Sequence, residues 1–182
     1  VKLSDPSTPS NDYYFNNLLV GSVDRIEVLK GAQSSLYGSG ALAGTIQLFS
    51  KKGRDGNNKE VSISSGSFGT QKLDLSFNGK NDFYDYFIGY TNFSTEGESA
   101  MRDNEENDRY RSDGLTMNYG YNFSDDFRVE NYLYYNDSFL EYDAVNKTYT
   151  DSNDSTDDQQ AIYTGRLIYR IGKLKNTFSY NN

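Results

Sequence analysis

The sequence predicts a mainly β chain whose larger part reads as consecutive antiparallel strands of a transmembrane β-barrel. Three observations carry this. From residue 59 onward apolar and polar residues alternate with period two, as in strands with two unlike faces. The connections alternate between short turns and long loops, the asymmetry of outer-membrane barrels. Apolar residues make up only 35% of the chain, yet 15% are aromatic, with 17 Tyr and 11 Phe. A disordered acidic chain would be poor in aromatics, whereas short strands with one wet face suit this balance. A soluble sandwich or barrel is the alternative; it would not need turns of two lengths, and its strands would be shorter.

Residues 1–23 hold both prolines, Pro6 and Pro9, among Ser, Asp and Asn, and read as a loop. Residues 24–53 are the most specific stretch. A β-run through Ile26 and Val28 ends at Gly31, and a short polar turn or helix closes on Leu36-Tyr37-Gly38. Small residues then lead into a second β-run, Thr45 to Phe49, with a basic exit at Lys51-Lys52. Arg25 and Glu27 share one face of the first run, which could meet a polar wall.

Residues 54–58 read as a Gly/Asn linker. Seven alternating strands follow, most of about 8–12 residues, near the length that crosses a bilayer at a tilt. They centre on Val61-Ile63, Leu73-Phe77, Tyr84-Tyr90, Leu115-Phe123, Val129-Tyr135, Ala161-Ile171 and Leu174-Tyr180. Tyr84, Tyr119, Tyr121, Tyr135, Tyr163 and Tyr169 fall on the lipid-facing phase and fit interfacial girdles, although ordinary sheet packing explains them too. Seven strands with open edges cannot span a bilayer alone. Val1 is not Met and Asn182 falls inside a strand pattern, so the sequence is expected to be a piece of a longer protein.

Chemistry is bounded mostly by exclusion. With no His and no Cys, the chain offers no His- or thiolate-based catalytic or zinc site. The formal net charge of -8 argues against nucleic acid as a partner. No enzyme activity is expected. No apolar run is long enough for a membrane-spanning helix, which does not bear on a barrel.

Two long loops, about residues 96–111 and 139–160, hold 12 of the 26 acidic residues and would share one rim of a barrel. Carboxylates ~4 Å apart repel by about 4 kcal/mol at an effective dielectric near 20. Their convergence would therefore require a cation, and calcium, with about 6–8 oxygen ligands, suits irregular loops. Solvated loops with Arg102, Arg109, Arg111 and Lys147 as partial counterions are the other reading. The run from Asp151 to Asp157 superficially suggests an EF-hand, but it lacks the sixth-position Gly (Thr156) and the twelfth-position Glu (Ile162). Tyr142 and Tyr149 lie in the second loop, where aromatic rings could touch a ligand.

Residues 24–53 closely resemble the end of the plug domain of TonB-dependent outer-membrane receptors. The match rests on Arg25-Ile26-Glu27-Val28-Leu29-Lys30-Gly31, a serine at 34 or 35, Leu36-Tyr37-Gly38, Ala41, Gly44, Ile46, Leu48 and Lys51. Ala32 stands where the family usually has proline, and Ala43 where it has the first of two glycines. The resemblance implies the C-terminal part of an α+β plug at residues 1–53, a linker at 54–58, and the first strands of a barrel of about 22 at 59–182. It implies that Arg25 and Glu27 meet opposite charges on the inner barrel wall. It further implies a Gram-negative outer-membrane location, contact with lipid, and energy from the TonB-ExbB-ExbD complex through a segment not in this sequence.

The second half looks most like the cobalamin transporter branch. Glu106-Asn107-Asp108-Arg109-Tyr110 is similar to that branch's acidic Asp-Asn-Asp-Gly-aromatic stretch, and Tyr142-Asp143-Ala144 matches a Tyr-Asp-Ala, followed by Asp151 or Asp154. The resemblance implies calcium held by Glu106, Asp108, Asp143, Asp151 and Asp154, with cobalamin or a related corrinoid as cargo. Glu106 replaces an Asp and Arg109 replaces the Gly. A ferric siderophore is the rival cargo in the same fold. A non-transporting barrel, such as a porin or adhesin, is the rival class, and would have no use for residues 24–53.

Overall fold

A computed structural model describes residues 20–38, 41, 43–99, 107–143 and 154–182. A 3-10 turn, Val20–Ser22, leads into strand β1 (Val23–Lys30). A one-turn helix α1 (Ser34–Tyr37) and strand β2 (Gly44–Ser50) follow. β1 and β2 pair antiparallel as a separate two-stranded sheet, with Glu27 opposite Gln47 and Val28 opposite Ile46. The strand–turn–strand unit expected at residues 24–53 is thus present.

The remaining strands are β3 (Gly56–Ser65), β4 (Gln71–Lys80), β5 (Tyr84–Thr95), β6 (Tyr110–Ser124), β7 (Phe127–Tyr142), β8 (Asp154–Ile171) and β9 (Leu174–Asn181). They form one seven-stranded antiparallel sheet in sequence order, with β3 and β9 as its edges. This is an incomplete barrel wall. The turns at 81–83, 125–126 and 172–173 lie on one rim; the connection at 66–70 and the described ends of the two longer ones, 96–99, 107–109 and 143, lie on the other. In the 66–70 connection Thr70 N donates to Ser67 O at 3.1 Å. Its two central residues, Phe68 (φ 55°) and Gly69 (φ 64°), have the positive φ of a type I′ turn.

Three boundaries differ from the sequence reading. β3 begins at Gly56, so residues 56–58 are strand rather than linker. β6 begins at Tyr110, and 139–142 and 154–160 are paired strand rather than loop. β6, β7 and β8 are 15, 16 and 18 residues long, beyond the expected 8–12. For β6, β7 and β8 the reason is shared. Hairpin arms that rise past a bilayer are wet on both faces, so their side chains lose the apolar alternation that marks a strand.

The polarity of the two sheet faces is the reverse of a soluble domain's. One face buries Ser76, Asn78, Thr91, Ser112, Thr116 and Asn118, together with Asn136, Ser138 and Thr164. The other exposes Phe77, Ile88, Met117, Tyr119, Tyr163 and Leu167. Cross-strand pairs keep the outer face apolar, with Ile88 opposite Met117 and Met117 opposite Leu133, while the inner face is polar apart from buried Phe87, Tyr134 and Ile162. The six tyrosines expected on the lipid side share the apolar face, with Tyr84 paired to Tyr121. The apolar phase of β6 runs from Leu115 to Phe123. At ~3.3 Å per residue and a tilt of ~40° that stretch rises about 20 Å, close to the ~25 Å apolar band of outer-membrane barrels. A sandwich would put its apolar face inward and its polar face to water. The inversion selects the membrane barrel.

Candidate functional site

The polar face of the wall is the inner one, because the plug end lies against it. Residues 20–22 and 50–54 bracket the two-stranded sheet and make this contact. Asn118, on β6, donates its side-chain amide to Ser50 Oγ at 3.1 Å and to Lys51 O at 3.1 Å. Lys52 Nζ lies 3.4 Å from Glu130 Oε1 on β7. Arg54 N donates to Asn78 Oδ1 on β4 at 3.3 Å. Lys51 N donates back to Ser22 O at 2.8 Å, which ties the two ends of the plug segment together.

At Gly53 the approach is backbone to backbone. A Cβ there would stand 2.1 Å from Gly79 O, 2.8 Å from Tyr86 N and 2.9 Å from Tyr86 O. Only glycine lets the chain lie this close to β4 and β5. Gly21 likewise rests on Asp74 and Thr91, where a Cβ would come within 2.5 Å of the Asp74 carboxylate. Asp74 is itself held by Thr91 Oγ1 at 2.7 Å and Lys72 Nζ at 2.8 Å.

Glu130 belongs to a charge cluster near the short-turn rim. Arg128 Nε donates to Glu130 Oε1 at 3.0 Å, Arg128 Nη1 donates to Asn122 Oδ1 at 2.9 Å, and Arg128 Nη2 donates to Asp85. Arg166 Nη1 lies 4.0 Å from Glu130 Oε2. The wall therefore neutralises its own carboxylates, and Lys52 adds one more cation from the plug side. None of Asn118, Glu130, Arg128 or Asp85 was singled out from sequence. Their signal was present, since each sits on the polar phase of a strand whose other phase is apolar.

Arg25 and Glu27 are brought together with each other. Arg25 Nε donates to Glu27 Oε1 at 2.8 Å, and Arg25 Nη1 lies 3.6 Å from Asp24 Oδ2. The guanidinium also covers the Phe49 ring at 3.7 Å. Both charged side chains remain about half exposed. The hydrogen bond that Arg25 donates to Glu27 is the main cause that raises the Arg25 pKa above its usual value.

Of the residues expected to hold calcium, Asp108 precedes β6, Asp143 follows β7, and Asp154 opens β8 opposite Tyr142. All stand on the long-loop rim. Glu106, Asp151 and the candidate ligand contact Tyr149 lie outside the described residues. Tyr142, the other candidate contact, ends β7 and is exposed on the same rim. Among the described residues no group of three or more acidic side chains is gathered to hold a metal ion. Arg109, one of the partial counterions in the solvated-loop reading, does pair with a carboxylate of these loops. Its Nε donates to Glu141 Oε2 at 2.9 Å and its Nη2 to Glu141 Oε1 at 2.8 Å. These bonds hold the Glu141 carboxyl below the usual glutamate range.

The comparisons with known proteins agree with this arrangement. The family described as TonB-dependent Receptor Plug Domain matches residues 2–45. The chain is 31% identical over 161 residues to the vitamin B12 transporter BtuB of Vibrio vulnificus, covering 85% of this chain and 26% of the relative. It is 30% identical over 100 residues to the metal-pseudopaline receptor CntO of Pseudomonas aeruginosa, covering 55% of this chain and 14% of the relative. Among solved structures, the siderophore receptor PiuA from Acinetobacter baumannii matches with a TM-score of 0.72 at 19% identity, over 89% of this chain and 26% of that one. At that identity the likeness shows the fold alone. The chain thus spans 26% of the length of the BtuB relative, and these relatives are transporters and receptors rather than enzymes. With its plug end docked on an inner polar wall and its apolar face turned outward, the chain is similar in both of its parts to TonB-dependent receptors of the Gram-negative outer membrane.

Proposed function

We propose that the protein containing this chain takes up cobalamin or a related corrinoid across the outer membrane, driven by the TonB-ExbB-ExbD complex. The observation that carries this is the 31% identity to a vitamin B12 transporter over 161 residues, which runs through both plug end and wall. In this reading ligand binds at the long-loop rim, and energy delivered from the inner membrane shifts the plug. The Arg25–Glu27 pair, still half exposed, presents charge toward inner-wall strands beyond the seven described.

Calcium is proposed at the long-loop rim. Asp108, Asp143 and Asp154 offer hard carboxylate oxygens there, the donor type calcium takes, with Glu106 and Asp151 as the further ligands. Bound calcium would supply the positive charge that lets these carboxylates converge, ordering the outer loops for Tyr142 and Tyr149 to meet the ligand. The second reading, a metal-chelate receptor of the same fold, is favoured by the 30% identity to the metal-pseudopaline receptor over 100 residues.

The deciding experiment is cobalamin binding by the full-length protein, titrated with and without a calcium chelator. Tight binding that weakens on chelation is expected. No cobalamin binding at any calcium level, with binding of a ferric siderophore instead, would replace the corrinoid reading by its rival.

A further inference from the structure

We infer that Arg109 is a positioning residue which clamps the bases of the two acidic outer loops together, so that the neck of the long-loop rim is ordered by a guanidinium and not by a bound cation. The inference does not depend on the cargo.

The contact has four parts. Two side-chain bonds, at 2.9 Å and 2.8 Å, make the Arg109–Glu141 pair bidentate. The Arg109 backbone N–H adds a third bond to Glu141 Oε2 at 3.2 Å, and Glu141 N donates to Arg109 O at 2.9 Å. The last of these extends the β6–β7 ladder one step past its final strand pair, Tyr110 opposite Leu140. An exposed ion pair usually stabilises little, but a bidentate arginine–carboxylate pair fixed by backbone bonds is the exception. Arg109 stays accessible while Glu141 is largely covered, so the clamp closes from the outside.

The neighbouring connections are stitched in the same protein-only way. Glu96 N and Thr95 Oγ1 both donate to Phe68 O, at 2.9 Å and 3.1 Å. Thr70 and Thr95 share a hydroxyl–hydroxyl bond of 2.9 Å. Gly97 and Asp108, the two ends of the first long loop, meet so closely that a Cβ at Gly97 would stand 2.0 Å from Asp108 O. The base of the rim therefore holds three connections together at the level of residues 68, 95–97, 108–109 and 141. Asp108, a proposed calcium ligand, adjoins this level, so calcium held there would add to the clamp without forming it. A guanidinium matches this role better than an ammonium, because only its planar fork reaches both carboxylate oxygens at once.

The test is amide hydrogen exchange in the full-length receptor, read at Arg109 and Glu141, with and without a calcium chelator. Four proteins are compared: wild type, Arg109→Ala, Arg109→Lys, and the double reversal Arg109→Glu with Glu141→Arg. In the wild type, chelation is expected to leave both amides protected. Arg109→Ala should speed their exchange about tenfold, Arg109→Lys should fall between, and the double reversal should restore protection. Amides of β6 between Leu115 and Phe123, and of β7 between Val129 and Tyr135, report that the wall itself has folded. Loss of wild-type protection on chelation to the level of Arg109→Ala would overturn the inference, because a cation would then hold the neck. Unchanged exchange in Arg109→Ala would overturn it as well. Cobalamin binding can fail without touching either result.

Discussion

Replacing Gly53 by alanine should loosen the plug end from the wall without unfolding the wall. The added Cβ would meet Gly79 O at 2.1 Å, and Tyr86 N and O at 2.8 Å and 2.9 Å. A carbon–oxygen contact needs ~3.2 Å, so the exit segment must retreat by about 1 Å, because all three obstacles are backbone and cannot rotate away. A retreat of that size stretches the two 3.1 Å bonds from Asn118 and the 3.4 Å Lys52–Glu130 pair beyond useful range. Each lost contact costs about 1 kcal/mol net, which puts the loosening near 2–3 kcal/mol. The assay is hydrogen exchange at the Lys51 and Arg54 amides, which donate to Ser22 O and Asn78 Oδ1. About 2 kcal/mol corresponds to roughly thirtyfold faster exchange. Gly56→Ala is the control: its φ of 81° strains any side chain, but nothing lies within 4 Å of the added carbon. It should weaken β3 locally and leave both amides protected. Equal exchange rates in wild type and Gly53→Ala would refute the close-approach reasoning.

Three further outcomes are expected. Glu130→Gln should destabilise the docked plug by about 1–3 kcal/mol in urea unfolding, because it leaves Lys52 and part of Arg128 without their charge partner; Lys52→Gln should cost less, since Glu130 keeps Arg128 at 3.0 Å. Phe68→Asn should stabilise the β3–β4 hairpin by about 1 kcal/mol, as asparagine tolerates the left-handed conformation that phenylalanine resists; a lower urea midpoint for this variant would show that the Phe68 ring contributes more than its backbone strain. Asp143→Ala should shift calcium-dependent cobalamin binding of the full-length protein to higher calcium, and an unchanged calcium dependence would remove Asp143 from the proposed site.

Strand phase was legible from sequence because it depends only on parity. The Tyr84, Tyr119 and Tyr163 phase was read as lipid-facing, and the register puts all three on the outward face. Strand ends were not legible. In Asp154-Ser155-Thr156-Asp157-Asp158-Gln159-Gln160 every side chain is polar or carries a hydroxyl, so no alternation exists to separate strand from loop, yet all seven residues are in β8. What pairs them is the backbone ladder, for which side-chain polarity is silent. The junction was half legible. Lys51 and Lys52 stood out as a basic exit, but Glu130 is 78 residues further on, and a single sequence does not say which polar-phase residue faces it. Arg109 was read as a counterion of the acidic loops, which it is, but its particular partner, Glu141, was not legible, because it lies across a strand pairing whose register depended on where the loops end.

The polarity of the inner wall also bears on whether the plug end can leave it. An apolar wall would hold the plug by buried area, at about 25 cal/mol for each Å² withdrawn from water, and that stabilisation would be lost in full on exposure. A wall of Asn, Ser, Thr and paired charges behaves otherwise, because each bond to the plug is exchanged for a bond to water at a net cost near 1 kcal/mol. The exit segment makes four such contacts: Asn118 to Ser50, Asn118 to Lys51, Glu130 to Lys52, and Asn78 to Arg54. Together they amount to about 4 kcal/mol. That sum is what these four contacts contribute to holding the exit segment on the wall. When Lys52 withdraws, Glu130 is not stranded, since Arg128 at 3.0 Å and Arg166 at 4.0 Å remain on the wall. The same charge cluster that receives the plug is therefore already neutralised without it, which keeps the undocked wall from carrying an uncompensated buried carboxylate.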